Sequence, residues 1–492
     1  MAKTEASTAT ADQAAADLLI LPLFEGPKPG PGVKEVSHAM GIDLVAAAID
    51  AGVTGALGKT LVLPTLGTIT PGTLVLTGVG PKEAAGPSAI RSAAMYAVAA
   101  TKGFASVAGT LGQLGADART GARAFAEGVL LGTHRFDAYK SKPVREHLPL
   151  GKVISLTTGD RRPVVAGLET GRIHAEAANW VRDLVNTPAA DMTPTHIANV
   201  AKAMANEHGL QCKIWTKRDL EAGGFGGILA VGQGSVNEPR LIELAYQGAG
   251  RGKPYAITGK GISFDSGGLD IKKAKWMETM KVDMAGAAAA IAVMRAAAQL
   301  KLKVNLIAAI GSAENMPGGE AQRPGDVITH RGGKTSEVGD TDAEGRILLA
   351  DVLAYLSEKE PRVIIDSATL TNTGLGEDVW AIFGNDQTLV DDLRAAGDAA
   401  GEPGWQFPLV EAYSRHTDSD IADIKNADWE GADTLASGLF LRFFVGDTPW
   451  AHLDVGDTAY LETERGEWSE GATGCPTRVI LRYLESQATV SR

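Results

Sequence analysis

Two periodicities alternate along this chain. Short apolar runs at Leu18–Phe24, 59–63, Thr73–Gly78, 105–109 and 153–157 read as strands. Between them, 87–101 and 118–131 are rich in alanine, carry apolar residues three and four positions apart, and read as helices. Asp160-Arg161-Arg162-Pro163 interrupts the pattern within 159–171 and predicts a domain boundary. An amphipathic helix is predicted over 172–185. It ends at Asn186-Thr187-Pro188, because the residue before a proline avoids the helical region. Thr193-Pro194 has the form of a cap with proline at the first helical position, which places the next helix over 196–207.

Beyond it, strands are predicted at 213–216, 228–231, 241–246, 255–258, 304–310, 363–366 and 450–455, with helices at 283–300 and 346–356. The glycine-rich stretch 223–227 reads as a turn leading into 228–231. Strands alternating with helices make an α/β class. Residues 1–17, rich in alanine and threonine, are expected to be a disordered tail.

A length of 492 residues suits about three domains or two large ones. The apolar content of 44% and charged content of 22% belong to a globular chain able to bury a large core. The net charge of −12 argues against general nucleic-acid or anionic-membrane binding, without excluding a local basic patch. Cys212 and Cys475 lie far apart and give neither a disulfide framework nor a cysteine zinc site, which fits a reducing, cytoplasmic compartment. The run Leu18–Phe24 is short, contains Pro22, and lacks the basic flank and cleavage site of a signal peptide. No stretch reaches the roughly 18 uncharged apolar residues of a membrane span; the alanine-rich run after Asp283 is broken by Arg295.

Chemistry-bearing residues concentrate in 259–346. Three segments stand out: Gly259-Lys260-Gly261-Ile262-Ser263-Phe264-Asp265-Ser266-Gly267-Gly268, Met280-Lys281-Val282-Asp283-Met284 and Asp340-Thr341-Asp342-Ala343-Glu344-Gly345-Arg346. With Lys272 they supply the carboxylates Asp265, Asp283, Asp342 and Glu344 and the cations Lys260, Lys272 and Arg346. Each residue alone reads most simply as a solvated loop charge. As a set they sit where apolar, strand-like runs end, and ligands of open α/β sheets bind beyond the carboxyl ends of strands. Gathered carboxylates repel one another and are costly to bury unpaired, a conflict that two divalent cations resolve. Carboxylate oxygens suit Mg²⁺, Mn²⁺ or Zn²⁺. Paired metals about 3.5–4 Å apart can hold a hydroxide while polarising a carbonyl, which amide hydrolysis needs. A lysine ligand would have to lose its proton to the metal. Lys272 or Arg346 could stabilise an oxyanion.

Other chemistries have little support. The chain has no His-Glu-x-x-His helix and no Gly-x-Ser-x-Gly elbow. Gly55-Ala56-Leu57-Gly58-Lys59-Thr60 has the look of a phosphate loop, but the required first glycine would fall at Val53 and a strand follows. His452, inside the apolar run 450–455, reads as a packed histidine rather than a ligand. The residues alone reach as far as a metal-assisted hydrolase.

At these segments the sequence resembles the leucyl aminopeptidase (cytosol aminopeptidase) family of dinuclear metallopeptidases. The resemblance is carried by 259–268, 280–286, Glu314-Asn315-Met316-Pro317-Gly318-Gly319 with Arg323-Pro324-Gly325-Asp326, 341–346 and Ala368-Thr369-Leu370-Thr371. A weaker likeness runs from Asn179 through Trp450-Ala451-His452-Leu453-Asp454 to Gly471-Ala472-Thr473-Gly474, and the N-terminal third matches more loosely. The resemblance implies a two-domain α/β protein. A smaller N-terminal α/β domain at 18–165 would serve assembly or regulation, and a larger catalytic α/β domain with a mixed central sheet would span 170–492. It implies that Lys260, Asp265, Asp283 and Glu344 hold one metal and that Asp265, Asp342 and Glu344 hold a second, more exchangeable one. Lys272 matches the family's catalytic lysine, and Arg346 the arginine that holds a bicarbonate-type anion acting as general base. Thr369, Leu370 and Asn372 fall on the substrate-contacting loop. The implied activity is removal of N-terminal residues from peptides or amino-acid amides, with Zn²⁺ or Mn²⁺, or else Mg²⁺, in a cytoplasmic homohexamer that engages neither membrane nor nucleic acid.

The sequence departs from the family pattern at Asp340 (usually Asn), Asn372 (usually Gly), Gly456-Asp457 and Cys475. None of these removes a metal ligand, Lys272 or Arg346. Asp340 adds negative charge beside the ligands, and Asn372 puts the usual substrate range in question. Two alternatives to a general aminopeptidase follow: an amidohydrolase specialised for one metabolite, and a catalytically weak scaffold or binding homologue.

Overall fold

The computed structural model describes residues 2–142, 148–428, 431–465 and 468–490. The chain forms two compact units, one from Met1–Asn179 with Thr463–Glu470 and one from Trp180–Glu462 with Gly471–Arg492. The division falls inside a continuous helix, Arg161–Asn186, so the break expected at 159–171 is helical. Asp160 Oδ1 accepts the Arg162 N–H at 3.0 Å, and Pro163 lies in the first turn, where a proline's missing N–H interrupts no helical bond.

In the first unit the described residues form a seven-stranded sheet. Its order is Lys3–Ser7, Lys152–Leu156, Ser106–Gly109, Leu18–Phe24, Thr73–Gly78 and Thr60–Pro64, with Lys28–Pro29 added to Leu18–Phe24. The segment expected to be a disordered tail therefore holds an edge strand. Lys3–Ser7 pairs in parallel with Lys152–Leu156, and Ala2 and Ala6 are buried. Ladder hydrogen bonds and two small apolar side chains order it, neither of which composition reveals. Along Leu18–Phe24 successive side chains leave on opposite faces. Leu18 and Ile20 join the core beneath the helices Pro87–Ala99 and Ala118–Gly132, while Leu19, Leu21 and Leu23 join that beneath Val33–Met40 and Leu44–Asp50.

The second unit is built on a nine-stranded sheet. Its centre is four mutually parallel strands, Asn305–Asn315, Tyr255–Gly259, Ile364–Ala368 and Trp450–Asp454. Arg240–Gln247 and Trp380–Gly384 flank them antiparallel, so the sheet is mixed. The short strand Gly261–Asp265 runs beside the far end of Asn305–Asn315. The helices Ala285–Gln299 and Glu344–Ser357 are buried along most of their length, as their apolar composition requires.

The strand expected at 228–231 is instead the helix Gly226–Gly232, preceded by the helix Lys217–Gly223. An apolar run of that length does not distinguish strand from buried helix. Tertiary packing decides it: Asp351 Oδ2 accepts the Ile228 N–H at 2.9 Å, and a Cβ on Gly227 would stand 2.4 Å from the Ile347 carbonyl oxygen. No helix among the described residues is long and apolar enough to cross a membrane.

Candidate metal centre

The parallel strands deliver their carboxyl ends to one edge of the sheet. Lys260 follows Tyr255–Gly259, Thr369 follows Ile364–Ala368, and Asp265 closes Gly261–Asp265 in register with Asn315. Asp283 lies in the single turn Met280–Met284, and Glu344 opens the helix Glu344–Ser357, where the helix dipole favours a carboxylate. Lys260, Asp265, Asp283 and Glu344 are buried; Lys272 and Asp342 are half-buried.

Two ammonium groups thread through the carboxylates. Lys260 Nζ stands 2.8 Å from Asp283 Oδ2 and 2.6 Å from Glu344 Oε1. Lys272 Nζ stands 2.8 Å from Asp265 Oδ2 and 2.6 Å from Asp342 Oδ1. Gly345 makes room for Lys260, since a Cβ there would lie 2.6 Å from its Cε. Four carboxylates against two ammoniums leave the centre short of positive charge.

The titration of the acids follows from that shortage. Burial and the neighbouring Glu344 raise the Asp265 pKa, and burial raises that of Asp283 further against the pull of Lys260. Burial, with Asp265 and Glu344 nearby, pushes Asp342 up to about 7. Glu344 goes the other way: burial opposes its charge, yet Lys260 and Lys272 hold its pKa below the usual value. Both lysines are raised against their own desolvation by the surrounding carboxylates.

This donor set fits divalent cations. Asp265, Asp342 and Glu344 each present an oxygen within 4.8 Å of the others, and Oε2 of Glu344 is buried with no hydrogen-bond partner among the described residues. Hard oxygen donors with surplus negative charge suit such ions.

Thr369 belongs to the same centre: its hydroxyl donates to Asp283 Oδ1 at 2.8 Å, and its carbonyl accepts from Lys260 Nζ at 3.2 Å. Leu370 and Asn372 make no bond to the cluster. The Leu370 N–H is held by Asp454 at 3.2 Å, and exposed Asn372 turns its side chain back to the Gly374 N–H at 3.1 Å. Thr373 is clasped by Asp457, which accepts from its N–H at 3.0 Å and its hydroxyl at 2.6 Å, so one position that departs from the family pattern holds the neighbour of another, Asn372. Arg346 is buried. It donates to the Asn426 carbonyl at 2.7 Å and to Asp433 Oδ1 at 2.8 Å, while its Nε has no partner among the described residues. Asp340 Oδ1 accepts the Asp342 N–H at 2.8 Å, so this side chain shapes the turn that presents Asp342. His452 is buried, with Nδ1 on Asp366, as a packing histidine would be.

Sequence reasoning assigned no role to the residues that fasten the ligand loops. Asn315 Nδ2 donates to Asp265 Oδ1 at 2.8 Å and to the Thr341 carbonyl at 2.9 Å. Asn426 donates to the carbonyls of Asp340 and Ala343 and accepts from the Gly339 N–H at 2.6 Å. Asp270 accepts the Thr341 N–H at 2.8 Å. Single amides have no spacing signature; the one available hint was that Asn315 closes a long apolar strand at the carboxyl edge.

Comparison with known proteins places this geometry in context. The model of the cytosol aminopeptidase family's catalytic domain matches residues 179–481, and that of its N-terminal domain matches 20–143. A probable cytosol aminopeptidase of a Geobacter species is 39% identical over 473 residues, covering 95% of this chain and 96% of its own. One from Streptomyces coelicolor is 40% identical and covers 98% of both. Among solved structures, the bottromycin maturation enzyme BotP superposes with a TM-score of 0.85 at 33% identity, over 96% of this chain and all of its own. It has also been solved in complex with Mn. A tomato leucine aminopeptidase variant superposes with a TM-score of 0.88 at 27% identity, over 99% of this chain and 97% of its own.

Proposed function

The chain belongs to the cytosol aminopeptidase family, and from that premise we propose which residues hydrolyse the N-terminal amide bond of a peptide or amino-acid amide. The protein is a metal-dependent hydrolase of the aminopeptidase class. The observation that carries the assignment is the buried group of carboxylates in excess over the lysines that thread it.

Lys260, Asp265, Asp283 and Glu344 would hold one divalent ion, and Asp265, Asp342 and Glu344 a second. The chemistry such ions supply when bound is polarisation of a carbonyl and water made acidic enough to act as a nucleophile near neutral pH. Mn²⁺ is favoured by the oxygen-rich donor set, and Zn²⁺ and Mg²⁺ are the competing choices. Lys260 serves as a ligand once it gives up its proton, which makes loading of that site pH-dependent.

Lys272 keeps its charge at the half-open side of the centre, where an ammonium stabilises negative charge developing on the substrate carbonyl oxygen. Arg346 offers its free Nε to a small bicarbonate-type anion that would take up the proton of the attacking water. Thr369, Leu370 and Asn372 form the loop along which the substrate's first residue lies, held in place by Asp454 and Asp457. Asn315, Asn426 and Asp270 are positioning residues that fix the ligand loops. The resemblance to the family also supports a cytoplasmic homohexamer, which light scattering of the purified protein would reveal as a particle of six chains.

The reading is tested by hydrolysis of leucine p-nitroanilide with and without Mn²⁺ and Zn²⁺, alongside elemental analysis. Activity with about two metals per chain is expected of a paired-metal site. Two bound metals with no hydrolysis of any amide would overturn it.

A further inference from the structure

The central strands have a second, oppositely charged end. Where they begin, a cavity of about 440 Å³ opens in the second unit, within the range of small-molecule sites. Arg251 and Lys253 reach it from the segment before Tyr255–Gly259, Lys303 from the segment before Asn305–Asn315, and Arg362 from the segment before Ile364–Ala368. Four cations from three separate segments converge there in a chain whose net charge is −12. All four residues are exposed, so water screens their mutual repulsion, and what they give the cavity is a surplus of positive charge that draws anions. Among the described residues Arg251, Lys303 and Arg362 form no ion pair, and Lys253 has Glu360 at 3.7 Å.

The loop that carries Arg251 and Lys253 is built rather than loose. The Asn305 side chain accepts the Ala249 N–H at 3.1 Å and donates to the carbonyls of Gly250 and Gly252 at 2.9 and 3.2 Å. Gly250 and Gly252 take positive φ, and in that conformation the N–H groups of Arg251, Gly252 and Lys253 make no hydrogen bond among the described residues. Arg362 lies over the ring of buried Tyr255 at 5.7 Å, which fixes one guanidinium at the wall. Guanidinium groups, ammonium groups and successive free backbone N–H donors are the partners that phosphate oxygens take.

We propose that this cavity binds a compact polyphosphate, free or as the phosphate tail of a nucleotide, at the end of the sheet opposite the metal centre. The phosphate groups would lie against the Gly250–Lys253 loop, with Lys303 and Arg362 neutralising the remaining charge. The site shares no residue with the metal ligands, so its occupancy is separable from catalysis.

The test is calorimetric titration of metal-loaded enzyme with magnesium tripolyphosphate, with ATP and short duplex DNA as parallel arms. Arg251→Glu combined with Lys303→Glu should weaken tripolyphosphate binding at least about tenfold, as loss of two charge-assisted contacts would. Aminopeptidase activity without the anion should stay unchanged, which also certifies folding. Glu344→Ala, which alters the metal centre, should bind the anion like wild type. ATP binding as tightly as tripolyphosphate assigns recognition to the phosphates, and tighter ATP binding adds the nucleoside; both support the proposal. Equal binding in the cavity variant, loss of binding in Glu344→Ala, absence of a titration, or binding of duplex DNA alone would overturn it.

Discussion

Two buried groups of charged side chains, one in each unit, are built differently. In the first unit Glu127, fully buried, faces Arg91 at 3.2 Å and Arg123 at 3.0 Å, and Arg123 also reaches the His174 ring at 3.0 Å. There each guanidinium meets the carboxylate, and the contacts join the helices Pro87–Ala99, Ala118–Gly132 and Arg161–Asn186. In the second unit four carboxylates share two ammoniums, and burial drives the pKa values of Asp265, Asp283 and Asp342 upward. Burial of charge is thus common to both. What sets the second unit's group apart is its surplus of carboxylate, which a ligand can correct.

The contrast can be tested by removing one carboxylate from each group. Glu344→Ala should abolish aminopeptidase activity and metal binding, because it deletes an acid placed between both lysines and the other ligands. Full activity with two metals bound would contradict the assignment. Glu127→Gln should do the reverse. Loss of the acid breaks two buried ion pairs, with about 3–5 kcal/mol of stability lost, while kcat per folded molecule stays as in wild type. A fall in kcat with unchanged denaturation would show that the first unit's group is more than a strut.

Lys272→Ala addresses the cation side. Turnover should fall by about 100- to 1000-fold, as for loss of an oxyanion donor, with metal content near normal. Loss of both metals would mean that Lys272 acts as a ligand instead. Asn315→Ala leaves every charge in place but removes one hydrogen bond from Asp265 and one from the Thr341 carbonyl. Metal affinity should fall by about 10- to 100-fold, as for loss of a group that orients a ligand; unchanged affinity would make Asn315 a structural amide only.

The smallest effect concerns pH. A carboxyl whose pKa is raised in the folded state contributes stability that is present below its ordinary value and lost as pH rises through the folded value. For Asp342 that window runs from the ordinary 3.8 to about 7, and Asp265 and Asp283 act in the same direction. Metal-stripped protein should therefore lose melting temperature between pH 5 and 8 more steeply than the Asp342→Asn variant, and divalent metal should restore most at the alkaline end. Identical slopes for the two proteins would show that Asp342 ionises freely.

Much of this protein is legible in its one-dimensional pattern. Buried parallel strands such as Tyr255–Gly259 and Ile364–Ala368 announce themselves as apolar runs, because both faces of a parallel strand are covered. The acids and lysines at their ends were visible because charges that interrupt such runs stand out. Their chemistry was legible as a metal site, since surplus acid among apolar strands has few other resolutions.

What the pattern did not carry belongs to contacts between residues far apart in sequence. Lys3–Ser7 became a strand through a ladder with residues about 150 positions away, although its own composition is that of a tail. Gly226–Gly232 became a helix because Asp351 and Ile347 meet it there. Which ammonium answers which carboxylate, the asparagines that brace the loops, the Asp457 clasp on Thr373 and the basic cavity at the other end of the strands were likewise set by folding. Local propensity and burial are properties of a segment and can be read from it; charge balance and hydrogen-bond satisfaction are properties of a place, which exists only once distant segments have met.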